Sequence, residues 1–190
     1  AGGYRNTAAG SYTTVLGGYG NYADNAYAIA AGRQDTAWSF YSAVLSGYGN
    51  TAGTFDFETS AVVVAGVGNK ARWAYCTVGG GRSNTAGGTA ATVMGGTECY
   101  VSGNWASAVG EGDTVRGGGG FAAGSGSVIP SGIGYAYSAA FNGQTATGGS
   151  QLRCDDRNAN SMGLVMDHPL RPDGMILRQY AGAGPEMLLT

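Results

Sequence analysis

A glycine returns along this chain every fourteen or fifteen residues, and its neighbours return with it. Gly3, Gly18, Gly32, Gly47, Gly66, Gly81, Gly96 and Gly110 are spaced by 15, 14, 15, 19, 15, 15 and 14 residues. Three places after each stand Asn6, Asn21, Asp35, Asn50, Asn69, Asn84, Cys99 and Asp113. Five places after stand Ala8, Ala23, Ala37, Ala52, Ala71, Ala86, Val101 and Val115. Nine places after, an aromatic recurs at Tyr12, Tyr27, Tyr41, Tyr75 and Trp105, with Ala90 a small exception. The fourth unit carries four extra residues around "FDFETS", which puts Asp56 in its aromatic place. Eight units in register define a solenoid.

The unit length selects the kind of solenoid. Helical repeats need roughly 30 residues or more, whereas about 15 suit two strands of some five residues and two tight corners. "YAIA", "YSAV" and "YCTV" carry the matching β-formers, so the fold class is all-β, a parallel β-roll. The repeated "GG" marks where the backbone takes positive φ or passes close to the next coil. The Asx residues three places on suit a left-handed turn. In register they form a structural ladder of Asn6, Asn21, Asp35, Asn50, Asn69, Asn84 and Asp113, each side chain bonding the next coil. At about 4.8 Å per coil, eight coils make a rod of roughly 40 Å.

Composition removes the competing classes. With 37 glycines but 4 prolines and no three-residue period, the chain is not collagen. Its 12 tyrosines, 3 tryptophans and 12% charge argue against disorder. A net charge of −2 gives no electrostatic case for nucleic acid. No apolar run reaches the roughly 18 residues of a membrane span, so no membrane insertion is expected of this segment. The chain opens on "AGGYRNTAAG", already inside a unit and without Met, and reads as part of something longer.

The interior is thin. Ala five places on and Val or Ala twelve places on (Val15, Ala30, Val44, Val78, Val93, Ala108) bury little apolar surface. Ordering each residue costs about 1–2 kcal/mol of backbone entropy. Several rolls sharing a core would remedy this, with Tyr12, Tyr27, Tyr41, Tyr75 and Trp105 as the shared surface. The other reading is that those rings cap each roll's own interior. The shared core is the reading taken, as a parallel homotrimer.

The unit "GGYGNTA…YSAV…GG" resembles the head repeat of trimeric autotransporter adhesins and similar arrays in viral and phage fibre proteins. The resemblance covers residues 1 to about 115. It implies left-handed parallel β-rolls, three chains to a head, and says nothing about a ligand. Cys99 in the Asx place, Asp56 in the aromatic place and the insertion depart from the pattern.

The last third differs. The repeat domain is read as 1–116, a Gly/Ser-rich transition, either a flexible linker or a last irregular wrap of the roll, as 117–134, and a small β-rich C-terminal module, continuing beyond this chain, as 135–190. "YAYSAAFNGQTATGGSQLRC" alternates around Asn142-Gly143, which reads as a hairpin turn. "MDHPLRPDGMILRQYAGAGPEMLLT" resembles a module near the C-termini of phage and bacterial fibre proteins. The matching residues are Asp167, His168, Pro169, Leu170, Pro172, Leu177, Gly184, Pro185, Glu186 and Met187. Gln179 and Ala183 stand where the module usually has His and Glu.

Chemistry-bearing motifs are sparse, and no catalytic, metal or cofactor site is expected. His168 is the one histidine, held against Pro169. Cys76, Cys99 and Cys154 lack CxxC spacing, and Cys76, on a repeat strand, reads as a small buried hydrophobe. Asp155 and Asp156 are adjacent and would face opposite sides of a strand. Asp56 and Glu58, two apart in the insertion, are the one pair able to share a face, and the insertion reads as a ligand-facing loop. Tyr4, Tyr19 and Tyr48 share one column, and Thr7, Thr36, Thr51, Thr85 and Thr114 another. Exposed Tyr rows can stack on sugars and a flat Thr row can bind ice, though both are also ordinary outward strand residues. The function expected is a non-enzymatic, trimeric, structural or adhesive fibre segment, extracellular on a cell surface or virion. Its partners would be itself and a surface glycan or protein receptor. A tailspike-like polysaccharide-cleaving enzyme and an ice-binding solenoid are the alternatives.

Overall fold

A computed structural model describes residues 2–54, 60–131, 139–143 and 145–146 in full. It gives the backbone alone for the strands Gln151–Cys154, Gly163–Asp167 and Ile176–Tyr180. The chain is all-β, a parallel solenoid of about eight coils of some 15 residues, and no helix occurs among the described residues. Each coil contributes one strand to each of two sheets.

The narrow sheet stacks two-residue strands, Thr7–Ala8, Tyr22–Ala23, Thr36–Ala37, Thr51–Ala52, Lys70–Ala71, Thr85–Ala86, Tyr100–Val101, Thr114–Val115 and Val128–Ile129, all parallel and in this order. The broad sheet stacks Thr14–Tyr19, Ile29–Arg33, Ala43–Val44, Val62–Val63, Thr77–Val78, Thr92–Thr97, Ser107–Glu111, Phe121–Ser125 and Ala139–Phe141. Most strands are shorter than the five residues expected, because corners occupy more of the unit than two tight turns would. Gln151–Cys154 adds in parallel to Ala139–Phe141, and Gly163–Asp167 and Ile176–Tyr180 follow antiparallel.

Units of 14 and 15 residues share one register through a β-bulge. Val15 pairs with Ala30 and Gly17 with Ala31, leaving Leu16 out; Val93 pairs with Ala108 and Gly95 with Val109, leaving Met94 out. The extra residue of the longer coil is pushed outward, where Leu16 and Met94 lie exposed.

The coils also run past Arg116. Gly124 stands 14 places after Gly110, Ser127 takes the Asx place and buried Ile129 the alanine place. Phe121–Ser125 and Val128–Ile129 pair in parallel with the preceding coil. A boundary at residue 116 therefore falls inside stacked coils, because the "GGGG" run at 117–120 hides an unbroken frame. Asn142 and Gly143 form a turn at positive φ, but the strands on either side pair in parallel. The Asn-Gly pair is thus a solenoid corner and not a hairpin turn.

Among the described residues the coils turn through two left-handed corners, and neither is the Asx position. One falls two places after the aligned glycine, where Arg5, Gln34, Ser83 and Glu98 have φ of 55–57° and Gly20, Gly49, Gly68, Gly112 and Gly126 have 65–68°. The other falls nine places after: Tyr12, Tyr27, Tyr41, Ser60, Tyr75, Ala90 and Trp105 have φ of 53–63°, and Gly119 has 69°. Ser60, not Asp56, is the corner residue of the fourth coil. Its N–H donates to Phe40 O at 2.9 Å, as Tyr41 N–H does to Ala26 O one coil earlier. Asp56 and Glu58 lie outside the described residues. The aligned glycine has positive φ and no room for a side chain: a Cβ on Gly18 would stand 1.8 Å from Gly32 O.

The core consists of small side chains. Ala23, Ala37, Ala52, Ala71, Ala86, Val101 and Val115 form one buried row, and Val15, Ala30, Val44, Val63, Val78, Val93 and Ala108 a second. A third row, ten places after the glycine, is Ala28, Ser42, Ala61, Cys76, Ala91 and Ala106. Among the described residues, no fully buried apolar side chain apart from Ile129 is larger than valine.

Candidate functional site

The Asx column lies inside the roll and joins consecutive coils. Asn21 Oδ1 accepts from Asp35 N–H at 3.0 Å, while its Nδ2 donates to Gly17 O at 2.8 Å and to Gly32 O of the next coil at 2.7 Å. Asn50, Asn69 and Asn84 repeat this pattern, each donating to the carbonyl four residues back and to the next coil's glycine. Asn6 opens the column, with Oδ1 accepting from Asn21 N–H and Nδ2 donating to Gly2 O and Gly18 O. Cys99 fits the same place through its thiol, which lies 3.3 Å from Gly110 O. Asp35 and Asp113 fill only half of the role. Each Oδ1 accepts the next coil's N–H, from Asn50 at 2.6 Å and Ser127 at 2.7 Å, and each Oδ2 is buried without a partner. Burial pushes both carboxyl pKa values up, partly offset by those hydrogen bonds. They are interior structural groups, out of reach of any substrate.

The outer face of the broad sheet and its two flanking corners are rich in apolar and aromatic side chains. Tyr12, Tyr27 and Tyr41 stack flat in one column, with centroids 5.2 and 5.0 Å apart and interplanar angles of 8° and 1°. Tyr12 is 79% exposed, and Tyr27, Tyr41, Tyr75 and Trp105 are all exposed as well. Each is roughly half exposed or more, so none is an interior residue of its own roll. Beside them on the sheet face, Leu16, Leu45, Val64 and Met94 are exposed, a row that Ala31 and Gly79 interrupt and that sequence reasoning did not single out.

The other flank of that sheet carries Tyr4, Tyr19, Arg33, Tyr48, Val67 and Arg82 in one bridged column. Tyr4 and Tyr19 stack at 5.6 Å. The Arg33 guanidinium lies over Tyr19 at 5.7 Å and over Tyr48 at 5.4 Å. Ring faces are therefore occupied by neighbours along the axis, and the column offers edges outward rather than faces.

The narrow sheet's outer column is polar and irregular. Thr7, Thr36, Thr51, Thr85 and Thr114 share it with Tyr22, Lys70 and Tyr100. The bulky and charged interruptions break the flat Thr array that ice binding needs. Among the described residues no group of three His, Cys, Asp or Glu is placed to hold a metal ion, and His168 lies outside them. Cys76 and Cys99 are both buried.

No family model matches the chain, and comparison with curated proteins found no match.

Proposed function

We propose that this chain is a non-enzymatic structural and adhesive fibre segment, displayed outside the cell or on a virion, whose folded unit is a parallel homotrimer. One observation carries the reading. At five left-handed corners, Tyr12, Tyr27, Tyr41, Tyr75 and Trp105 hold a backbone conformation that costs a side-chain-bearing residue about 1–2 kcal/mol, and each ring then stays exposed. Gly119 occupies the equivalent corner without that cost. Exposed rings kept at strained positions, next to exposed Leu16, Leu45, Val64 and Met94, form an apolar face that suits burial against another chain.

A second copy in register is the natural occupant. The face repeats along the axis, so parallel neighbours match coil for coil, and a rotation that closes after three chains stops growth. The thin core gives the same direction, since a single roll buries little surface against its ordering cost. Light scattering on the refolded segment tests it. The expected species has three times the 19.0 kDa chain mass, and Tyr27→Asp with Tyr41→Asp converts it to unfolded chain in one concentration-dependent step. A compact, β-rich particle of one chain's mass overturns the proposal.

A further inference from the structure

We propose that the column of Tyr4, Tyr19, Arg33, Tyr48 and Arg82, with Arg5 at the corner beside Tyr4, is a binding site for a linear anionic polysaccharide lying along the roll axis. It rests on the reading that the roll presents a surface to a partner, and it does not need the trimer.

The argument starts from what the stacking leaves available. Rings that pile along the axis cover one another's faces, so the outward groups are phenol hydroxyls and guanidinium N–H edges. Arg5 lies 5.2 Å over Tyr4 and donates to the Tyr19 hydroxyl at 3.3 Å. That bond uses the phenol as acceptor and leaves its own proton free to donate. Arg33 is clamped between two rings, which removes much of the rotamer freedom an arginine would otherwise lose on binding. Tyr19 is 37% exposed, Tyr48 46%, and all three arginines are exposed.

The charge is of one sign. Among the described residues, the two positions following the aligned glycine carry Arg5, Arg33 and Arg82 and no carboxylate through the first six coils. Carboxylates enter there only in the last coils, as Glu98 and Glu111. No described carboxylate pairs with any of the three arginines, so none is neutralised and each keeps N–H donors for an anion.

The spacing selects the class of polyanion. At about 4.8 Å per coil, Arg5 and Arg33 are two coils apart, roughly 10 Å, and Arg33 and Arg82 three coils apart, roughly 14 Å. A nucleic-acid strand carries one charge per ~3.4 Å, far denser than this row. A polysaccharide with an acidic group on every second sugar is sparse enough, and its hydroxyls meet the phenols between the arginines.

Hyaluronan oligosaccharides, with one carboxylate per disaccharide, are the probe. Titration calorimetry on the refolded chain, with light scattering on the same sample, is the measurement. The expected result is saturable binding that carboxyl-reduced hyaluronan does not show and that a single-stranded DNA oligonucleotide shows more weakly. Arg33→Gln should weaken binding about tenfold or more, while Tyr19→Phe with Tyr48→Phe, which keeps the stack, should weaken it several-fold. Both variants should keep the wild-type mass and melting temperature. Absence of binding by the wild type, unchanged binding by Arg33→Gln, equal binding of the reduced polymer, or tighter binding of DNA each overturns the site. Binding by a monomer would overturn the trimer and leave the site standing; a trimer that binds nothing does the reverse.

Discussion

Replacing Asp35 and Asp113 with asparagine should stabilise the roll, by an amount that depends on pH. In the coils with asparagine, Nδ2 donates to two carbonyl oxygens, one four residues back and one on the next coil. In the third coil the corresponding carbonyls belong to Ala31 and Gly47, and the atom in the donor's place is the unpartnered Asp35 Oδ2. Gly47 O and this oxygen crowd the same side of Gly32. An ionised carboxylate there sets oxygen against oxygen in the interior. An orphaned buried acceptor costs about 1–3 kcal/mol. The two sites are five coils apart, roughly 24 Å, so their effects should add. The gain in the double variant is then about 2–6 kcal/mol at neutral pH. Burial raises the folded pKa of both carboxyls, and an unfolded aspartate titrates near ~3.9. Below that pH both states are protonated, and the folded acid can donate its proton to a carbonyl. As pH rises the unfolded chain ionises first, and wild-type stability falls until the folded carboxyls ionise too. Asparagine has no such dependence, so the advantage of the variant should be small at pH 4 and grow toward pH 7. Urea unfolding at both pH values and fixed chain concentration measures it. An advantage of equal size at both, or variants weaker than wild type at pH 7, would refute the reasoning.

Two glycines that both hold positive φ should respond differently to alanine. Gly18→Ala puts a Cβ 1.8 Å from Gly32 O and should cost about 3 kcal/mol or more, whereas Gly49→Ala meets nothing within 4 Å and should cost only the ~1–2 kcal/mol of its left-handed backbone; equal melting shifts would contradict the close-approach argument. In a Cys154→Ser background, Cys76 and Cys99 should resist thiol reagents until the roll unfolds, since both are buried and burial raises the Cys99 pKa. Modification of either at the rate of a free thiol under native conditions would show that the coils open.

The period made most of the roll legible, because each coil must satisfy the same backbone geometry as the last and only a few residues do so. The glycine column, the Asx column and the two alanine and valine rows were all readable this way. The left-handed corner was placed one residue late. Asn tolerates that conformation, but here its side chain turns inward to the next coil, and the residue before it takes the strain. Gly20, Gly49, Gly68 and Gly112 were the visible sign. The third interior row hid in mixed chemistry: Ser42 and Cys76 share with alanine only their size. Leu16 and Met94 carry no mark in the repeat pattern, yet they are the residues that let 14 and 15 match. Half of the Tyr–Arg column was legible. Tyr4, Tyr19 and Tyr48 stood out, while Arg33, which lies between two of their rings, did not.

The same stacking accounts for the low charge. A side chain in this fold has its counterpart one strand spacing above and below, about 4.8 Å away, so two like charges in successive coils repel for the length of the contact. The columns avoid this: Arg33 sits between Tyr19 and Tyr48, Lys70 between Thr51 and Thr85, Asp35 between Asn21 and Asn50. A test follows on the narrow sheet, where Thr51 pairs directly with Lys70. Lysine and glutamate have comparable strand preferences, so Thr51→Lys and Thr51→Glu differ mainly in the sign they set against Lys70. Unit charges 4 Å apart interact by about 1 kcal/mol in water, and an exposed pair realises roughly half of that. Thr51→Lys should therefore be about 0.5 kcal/mol less stable than neutral Thr51→Gln, and Thr51→Glu about as much more stable. The difference should shrink in 1 M salt, where the screening length is about 3 Å. If both charged variants lose the same stability at low salt, crowding rather than charge limits these columns, and the sparse charge of the chain needs another cause.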